Sequence, residues 1–336
     1  MHNKSMLETL SLENDPMETL PIYIYQEVWE SAQGCLLGQL VGDALGSLVE
    51  FQTPEQIRRA YPLGVRDLAD GGTWNTLAGQ PTDDSEMALM LARMLVKSGY
   101  YDGGAVVEAY RFWLNSEPFD CGNTIAAALR GKPNPASQAN GALMRVSPLA
   151  IFGARLRLDE VAELARQDAA LTHPNPLCQQ VNALYVMALT EVIKHPQLNR
   201  KQLYCQICEW VRKRDIDPLL HKATLEAFFK RPEDYVTQQG WVVIAWQNAL
   251  WQLLHAESFE MALIDTVMQG GDSDTNAAIC GALLGALYGV NEIPARWRNA
   301  VLNCRPQEGD PKVLQPRPEC FWPVDAMELA LQLLRI

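Results

Sequence analysis

The chain has no surplus of basic charge: 28 Lys and Arg stand against 40 Asp and Glu in 336 residues, a formal net charge of −12. Binding nucleic acid without regard to sequence takes Lys and Arg to neutralise phosphates, so no nucleic-acid partner is expected. A small substrate is not excluded, because a pocket's local charge can differ from the whole. No apolar run reaches the roughly 18 residues of a membrane span. The nearest, residues 277–290, is too short and reads as a core helix. Between Met1 and Asp15 no basic stretch precedes an apolar one, so a secretory signal is not expected. The eight cysteines are scattered, and Cys35 and Cys280 sit in apolar helical text like small buried hydrophobes. Together these features point to a reducing cytoplasm.

Other signals are missing too. Alternating strand patterns are scarce, and no repeat of solenoid length is evident. Residues 99–104 are glycine-rich but lack the strand, loop and helix of a dinucleotide fingerprint. Cys205 and Cys208 form a lone CxxC inside helical text, which argues against zinc or redox chemistry. Trp241, Trp246 and Trp251 recur near helical spacing and read as core.

What is present is mostly helix. Apolar residues recur with helical period at 86–96, 105–114, 158–171, 177–193, 201–212, 241–255, 259–268 and 275–288. Runs rich in Gly, Pro and Asn separate them at 63–79, 131–140, 173–176 and 269–272. The expectation is a compact many-helix domain spanning 34–336. Residues 1–33 differ: six acidic residues face only Lys4, Pro16 and Pro21 interrupt the segment, and Ile22-Tyr23-Ile24-Tyr25 is a short β-prone run. They read as an acidic N-terminal extension.

Glycine recurs every four residues twice, at Gly34, Gly38, Gly42 and Gly46 and at Gly281, Gly285 and Gly289. That spacing puts the glycines on one helix face. Each costs a helix about 1 kcal/mol relative to alanine, so a compensating gain is needed, and close backbone approach of two buried helices supplies one. If these two helices pack together, two acidic clusters far apart in sequence meet.

The clusters are Thr82-Asp83-Asp84-Ser85-Glu86 and Gly270-Gly271-Asp272-Ser273-Asp274-Thr275-Asn276, each opening an apolar helix. Either alone reads as helix capping, with Asp83 and Glu86 spaced as a capping box. A cap needs one such residue, whereas each cluster has three or more, and gathered carboxylates repel unless a cation neutralises them. Hard cations such as magnesium and manganese favour oxygen ligands. Thr82, Asp83, Asp84, Asp272, Asp274 and Thr275 would suffice for a two-metal site.

These two segments resemble the metal-binding signatures of the ADP-ribosylglycohydrolase family, which includes the dinitrogenase-reductase-activating glycohydrolases. Gly34 to Gly38, continuing through Gly42-Asp43-Ala44-Leu45-Gly46 and Val49-Glu50-Phe51, resembles the family's opening helix and loop, and Asn140-Gly141-Ala142-Leu143-Met144-Arg145 its substrate loop. The resemblance covers about residues 34–290 in the family's order. It implies an all-α orthogonal multi-helix bundle and a centre of two Mg2+ ions, with Mn2+ the alternative. By position, it makes Thr82, Asp83, Asp84, Asp272, Asp274 and Thr275 metal ligands. Asp84 and Glu50 become catalytic carboxylates, and Asn140, Gly141, Met144 and His173 line the ADP-ribose groove. The Asn140–Gly141 loop would offer backbone N–H groups to the diphosphate.

The implied reaction is hydrolytic removal of ADP-ribose from a modified protein side chain, with arginine favoured by similarity to the bacterial branch. A second reading is an immunity protein that blocks an ADP-ribosyltransferase toxin through its N-terminal extension, with or without hydrolysis. A third, a phosphohydrolase using the same oxygen-rich site, fits the four motifs less well.

Overall fold

The computed structural model describes residues 22–336, which form fifteen α-helices and no strand. In chain order they are α1 (Ile22–Gly46), α2 (Pro54–Ala60), α3 (Asp83–Ser98), α4 (Gly103–Leu114), α5 (Asn123–Leu129), α6 (Ser147–Phe152), α7 (Leu158–Ala170), α8 (Pro176–Lys194), α9 (Arg200–Lys213), α10 (Pro218–Glu226), α11 (Val242–His255), α12 (Phe259–Val267), α13 (Ser273–Tyr288), α14 (Ala295–Leu302) and α15 (Ala326–Arg335). Local chemistry sets many of the ends. Thr53 and Gln56 make a reciprocal capping box ahead of Pro54. Asp102, Asn199, Asp217 and Ser258 accept from the free N–H groups of α4, α9, α10 and α12. Gly99 closes α3 in the left-handed conformation, φ 76°.

α1 and α13 lie against each other at the centre, with α8, α11 and α12 on α13 and α15 on α1. Both are apolar around most of their circumference, as befits buried helices. The glycine stripes make the contact. A Cβ at Gly34 or Gly38 would run into the backbone carbonyl of Gly285 or Gly281, and one at Gly42 into that of Ala277. Gly46 faces the Ser273 carbonyl at the mouth of the acidic cluster. Gly289 differs from the rest of its stripe: it ends α13 at φ 80°.

The N-terminal boundary falls elsewhere than expected. Ile22 to Tyr25 are the first turn of α1, not a strand, and the helix runs without a break through Gly34. Val28 and Ala32 are core residues, and Ser31 donates to the Ala286 carbonyl on α13. The β-branched and aromatic preference of this run is a weak bias, which the helix continuing from it, buried from Val28 onward on one face, overrides. Of the acidic extension read at 1–33, residues 1–21 lie outside the described residues. No helix among the described residues is long and apolar enough to cross a membrane.

Candidate active site

The α1–α13 contact places the α3 start against the α13 start. Thr275 on α13 donates to Asp84 Oδ2 at 3.3 Å, joining positions 191 apart in sequence. Neither cluster acts as a cap. Thr82 and Asp272 occupy the cap positions without a side-chain capping bond, and Glu86 turns away to a buried ion pair with Arg317. Asp43 on α1 takes over at α3: its carboxylate accepts from the Thr82 and Ser85 N–H groups at 3.1 Å and from the Thr82 hydroxyl at 2.9 Å. Asp83 and Asp84 are thereby released from capping and line the cavity.

The cavity has a volume of about 320 Å³. Its lining includes Asp83, Asp84, Asp272, Asp274 and Thr275 from the two clusters, together with Glu50, Phe51, Asn140, Gly141, Met144 and His173. Glu50, Asp272 and Asp274 each bring a carboxylate oxygen within 4.8 Å of the others, a spacing suited to a shared cation. Thr82 is the exception among the expected ligands: it is fully buried, its hydroxyl is engaged by Asp43, and it does not line the cavity.

The electrostatics are those of an acid-rich cavity. Six carboxylates and no Lys or Arg line the cavity. Burial, then the charge of Asp272, pushes Glu50 up to about 8. Burial, then the charges of Asp43 and Asp83, raises Asp84 well above the carboxylate range, and burial, then Glu50 and Asp84, does the same to Asp274. Asp84 Oδ1 is buried without any hydrogen-bond partner. A buried lone carboxylate oxygen facing like charges fits a divalent cation, which would return the cluster to its ionised form.

The surrounding groups are held by the fold. Asn140 Nδ2 donates to Asp272 Oδ2 at 2.7 Å. The Asn140 N–H is committed to the Gly240 carbonyl at 2.9 Å, beside the Ala139–Trp241 bridge, so it is not free for a diphosphate as expected. His173 is fully buried, with Nδ1 2.9 Å from the Thr172 hydroxyl and Nε2 unpartnered at the cavity wall. Burial, then the Arg145 charge, pushes its pKa down to about 3, so the ring is neutral. When the Thr172 hydroxyl donates to Nδ1, Nε2 carries the hydrogen and can donate into the cavity. Gly141 leaves room for this ring: a Cβ there would meet His173 Cε1 at 3.1 Å.

Three residues were not foreseen. Asp120 lines the cavity between Phe119 and Gly122, and burial, then the charges of Asp83 and Glu50, pushes it up to about 10. It lies in an irregular loop, and nothing local in the sequence marks it. Trp74 Nε1 donates to Glu50 Oε2 at 2.6 Å, fixing that carboxylate. Phe51, half exposed, sits in the left-handed region at φ 66°. Such a backbone costs a non-glycine residue about 1–3 kcal/mol and persists where neighbours over-determine it. Here the Phe51 N–H donates to the Gly271 carbonyl at 2.7 Å, Gly271 N–H returns a bond to Gln52 at 3.0 Å, and Thr73 holds the Glu50 carbonyl at 3.0 Å.

The class of protein to which this all-α bundle and its carboxylate-lined cavity belong, a glycohydrolase, is given by the comparisons. The ADP-ribosylglycohydrolase family profile matches residues 25–319, and the chain belongs to that family. It is 34% identical over 284 residues to the ADP-ribosyl-[dinitrogen reductase] glycohydrolase of Rhodospirillum rubrum, covering 80% of this chain and 90% of that one. It is 30% identical over 289 residues to the ADP-ribosylarginine hydrolase Tri1 of Pseudomonas putida (strain GB-1), covering 81% and 74%. Among solved structures, an ADP-ribosylglycohydrolase-related protein complex superposes with a TM-score of 0.73 at 27% identity, covering 92% of this chain and 99% of that chain. The chain is thus an ADP-ribosyl glycohydrolase.

Proposed function

We propose that the protein removes ADP-ribose from arginine side chains of a modified protein, using a pair of divalent cations, Mg2+ or alternatively Mn2+, held by Asp83, Asp84, Asp272, Asp274 and Thr275, with Thr82, bound to Asp43, outside the ligand set. The observation that carries this reading is the composition of the cavity wall: six carboxylates and no basic side chain. Two divalent cations neutralise four of these charges. The remainder favours a leaving group that is itself cationic, as a guanidinium is, over a neutral hydroxyl. The arginine linkage in the name of the Pseudomonas relative supports this reading.

Bound cations would supply Lewis-acid activation of water and polarisation of the ribose hydroxyls. The chain's own groups do the rest. Glu50, oriented by Trp74, takes the proton of the attacking water, with Asp84 as the alternative acceptor. The same carboxylates stabilise the positive charge that develops on the ribose ring in an oxocarbenium-like transition state. Asn140 holds Asp272 in place, and Met144 and Gly141 shape the groove. His173 Nε2 donates to a ligand oxygen at the cavity wall. We place the reaction in the reducing cytoplasm, which suits eight unpaired cysteines.

The test is release of ADP-ribose from arginine-linked and serine-linked peptides, with and without chelator. Chelation, Asp83→Asn and Asp274→Asn should each lower release from the arginine-linked peptide at least a hundredfold, beyond the 10–100-fold typical of groups that merely support metal ligands. Wild-type rates in all three would overturn the metal mechanism. Blocking of an ADP-ribosyltransferase remains a separate proposal that rests on residues 1–21. Loss of such binding on deleting them, with hydrolysis intact, would support it, and unchanged binding would exclude it.

A further inference from the structure

Phe51, Trp74 and Phe119 form an aromatic arc that meets the cavity at Phe51. Trp74 meets Phe51 edge-on, with ring centroids 6.2 Å apart at 77°, and Phe119 at 6.1 Å and 50°. The arc runs from the residue after Glu50 to the residue before Asp120, so it joins the two carboxylates that stand outside the paired acidic clusters. The middle ring is tied down: Trp74 donates to Glu50, and its carbonyl accepts from Gln315 Nε2 at 3.0 Å, itself linked to Gln80. Phe51 is the free end. It lines the cavity, leaves half its surface in water, and occupies a backbone conformation in which glycine would be unstrained.

The contact with Trp74 leaves half of the Phe51 surface in water, so packing alone does not account for an aromatic residue at this strained position. We infer that Phe51 is a specificity residue whose ring face receives the flat cationic group carrying the ADP-ribose, with the carboxylates that line the same cavity holding its charge. The inference rests on the arginine linkage proposed above. A guanidinium stacks on an aromatic face and pairs with a carboxylate through its edge, and these demands do not compete. A serine acceptor offers neither a plane nor a charge, so the arc discriminates between acceptors while leaving the ADP-ribose groove untouched. The C1′–N bond breaks as the water oxygen bonds to C1′, the group leaves as a neutral guanidine and takes up the proton that Glu50 received from the water, and Phe51 itself exchanges no proton and forms no bond.

The experiment compares wild type with Phe51→Leu, Phe51→Tyr and Phe51→Gly, using arginine-linked and serine-linked ADP-ribosyl peptides and calorimetric binding of free ADP-ribose. Phe51→Leu keeps bulk and strain but loses the π face, so kcat/KM on the arginine-linked peptide should fall on the order of tenfold. Its affinity for ADP-ribose should not change, and Phe51→Tyr should retain wild-type turnover. Phe51→Gly relieves the backbone strain, so it should fold at least as stably as wild type and still lose arginine turnover. Full arginine activity in Phe51→Leu would overturn the inference, as would a parallel loss of ADP-ribose binding, which would mark a merely structural role. A wild-type protein that releases nothing from the arginine-linked peptide would instead overturn the proposed function, and this inference with it.

Discussion

Replacing Gly38 with alanine should destabilise the protein, although the same change stabilises most helices. In an ordinary helix interior alanine gains about 1 kcal/mol over glycine. At Gly38 the added Cβ points into the backbone carbonyl of Gly281, and no rotamer change relieves a clash between a Cβ and a main-chain oxygen. Helices α1 and α13 must then separate. Overpacked cores typically lose 1–3 kcal/mol, and with backbone on the opposing side the upper end applies, so the net loss should be about 2 kcal/mol after the propensity gain. Gly103→Ala is the matched control. It lies in the first turn of α4 with nothing nearer its added Cβ than Leu171 Cδ2 at 3.8 Å, so its effect should lie between neutral and about 1 kcal/mol stabilising. Urea titrations followed by helical circular dichroism measure both. Because the same contact aligns Asp84 with Thr275, Gly38→Ala should also lower turnover under conditions where it remains folded. A Gly38→Ala protein as stable as the Gly103→Ala control would refute the backbone-to-backbone reading of the central interface.

Arg317 and Glu86 form a buried bidentate pair, with Nε and Nη2 both 2.8 Å from carboxylate oxygens, and Trp113 also donates to Glu86. Arg317→Met leaves that carboxylate uncompensated and should cost about 3–5 kcal/mol, with Arg317→Met/Glu86→Gln recovering part of the loss, measured by denaturant titration. In metal-free protein Glu50 titrates near 8 and Asp43 near 7, both raised above their unfolded values by burial. The folded state therefore binds more protons through this range. Stability should be highest below about pH 4 for these groups' contribution and decline as pH rises towards 8, and saturating divalent cation should flatten that slope in thermal melts across pH. Asp43→Ala removes the acceptor for two N–H groups at the start of α3. Metal affinity, read by calorimetry, should fall by about 10–100-fold, as for other groups that orient metal ligands.

Much of this could be read before the fold was known. The eight helices expected from apolar period lie where the periodicity puts them, because each carries one buried face and most are closed by residues suited to caps. The glycine stripes and the paired acidic clusters were legible for the same reason: a rare residue repeated at a fixed interval must be offset by contacts elsewhere. Ile22 to Tyr25 were misread because their local bias is small beside the burial of the helix they open. Asp120, Trp74 and Phe51 were invisible as a group. Each sits in an irregular segment, where position depends on contacts from distant parts of the chain and not on any neighbour in sequence. Asn140 was placed at the site by its motif, but its N–H partner, Gly240, could be seen only once the two loops were side by side.

The central contact also has a consequence for the order of events during synthesis. Gly46 and Ser273 touch across 227 positions of sequence. At translation rates of about 5–20 residues per second, α1 waits roughly 10–50 s for the helix it was built to meet. Throughout that interval its glycine-notched face is poorly helical and without its partner, and the acids at the start of α3 have no second half to share a cation with. A ribosome stalled just before α13 would hold 272 of the 336 residues and only one of the two acidic helix starts.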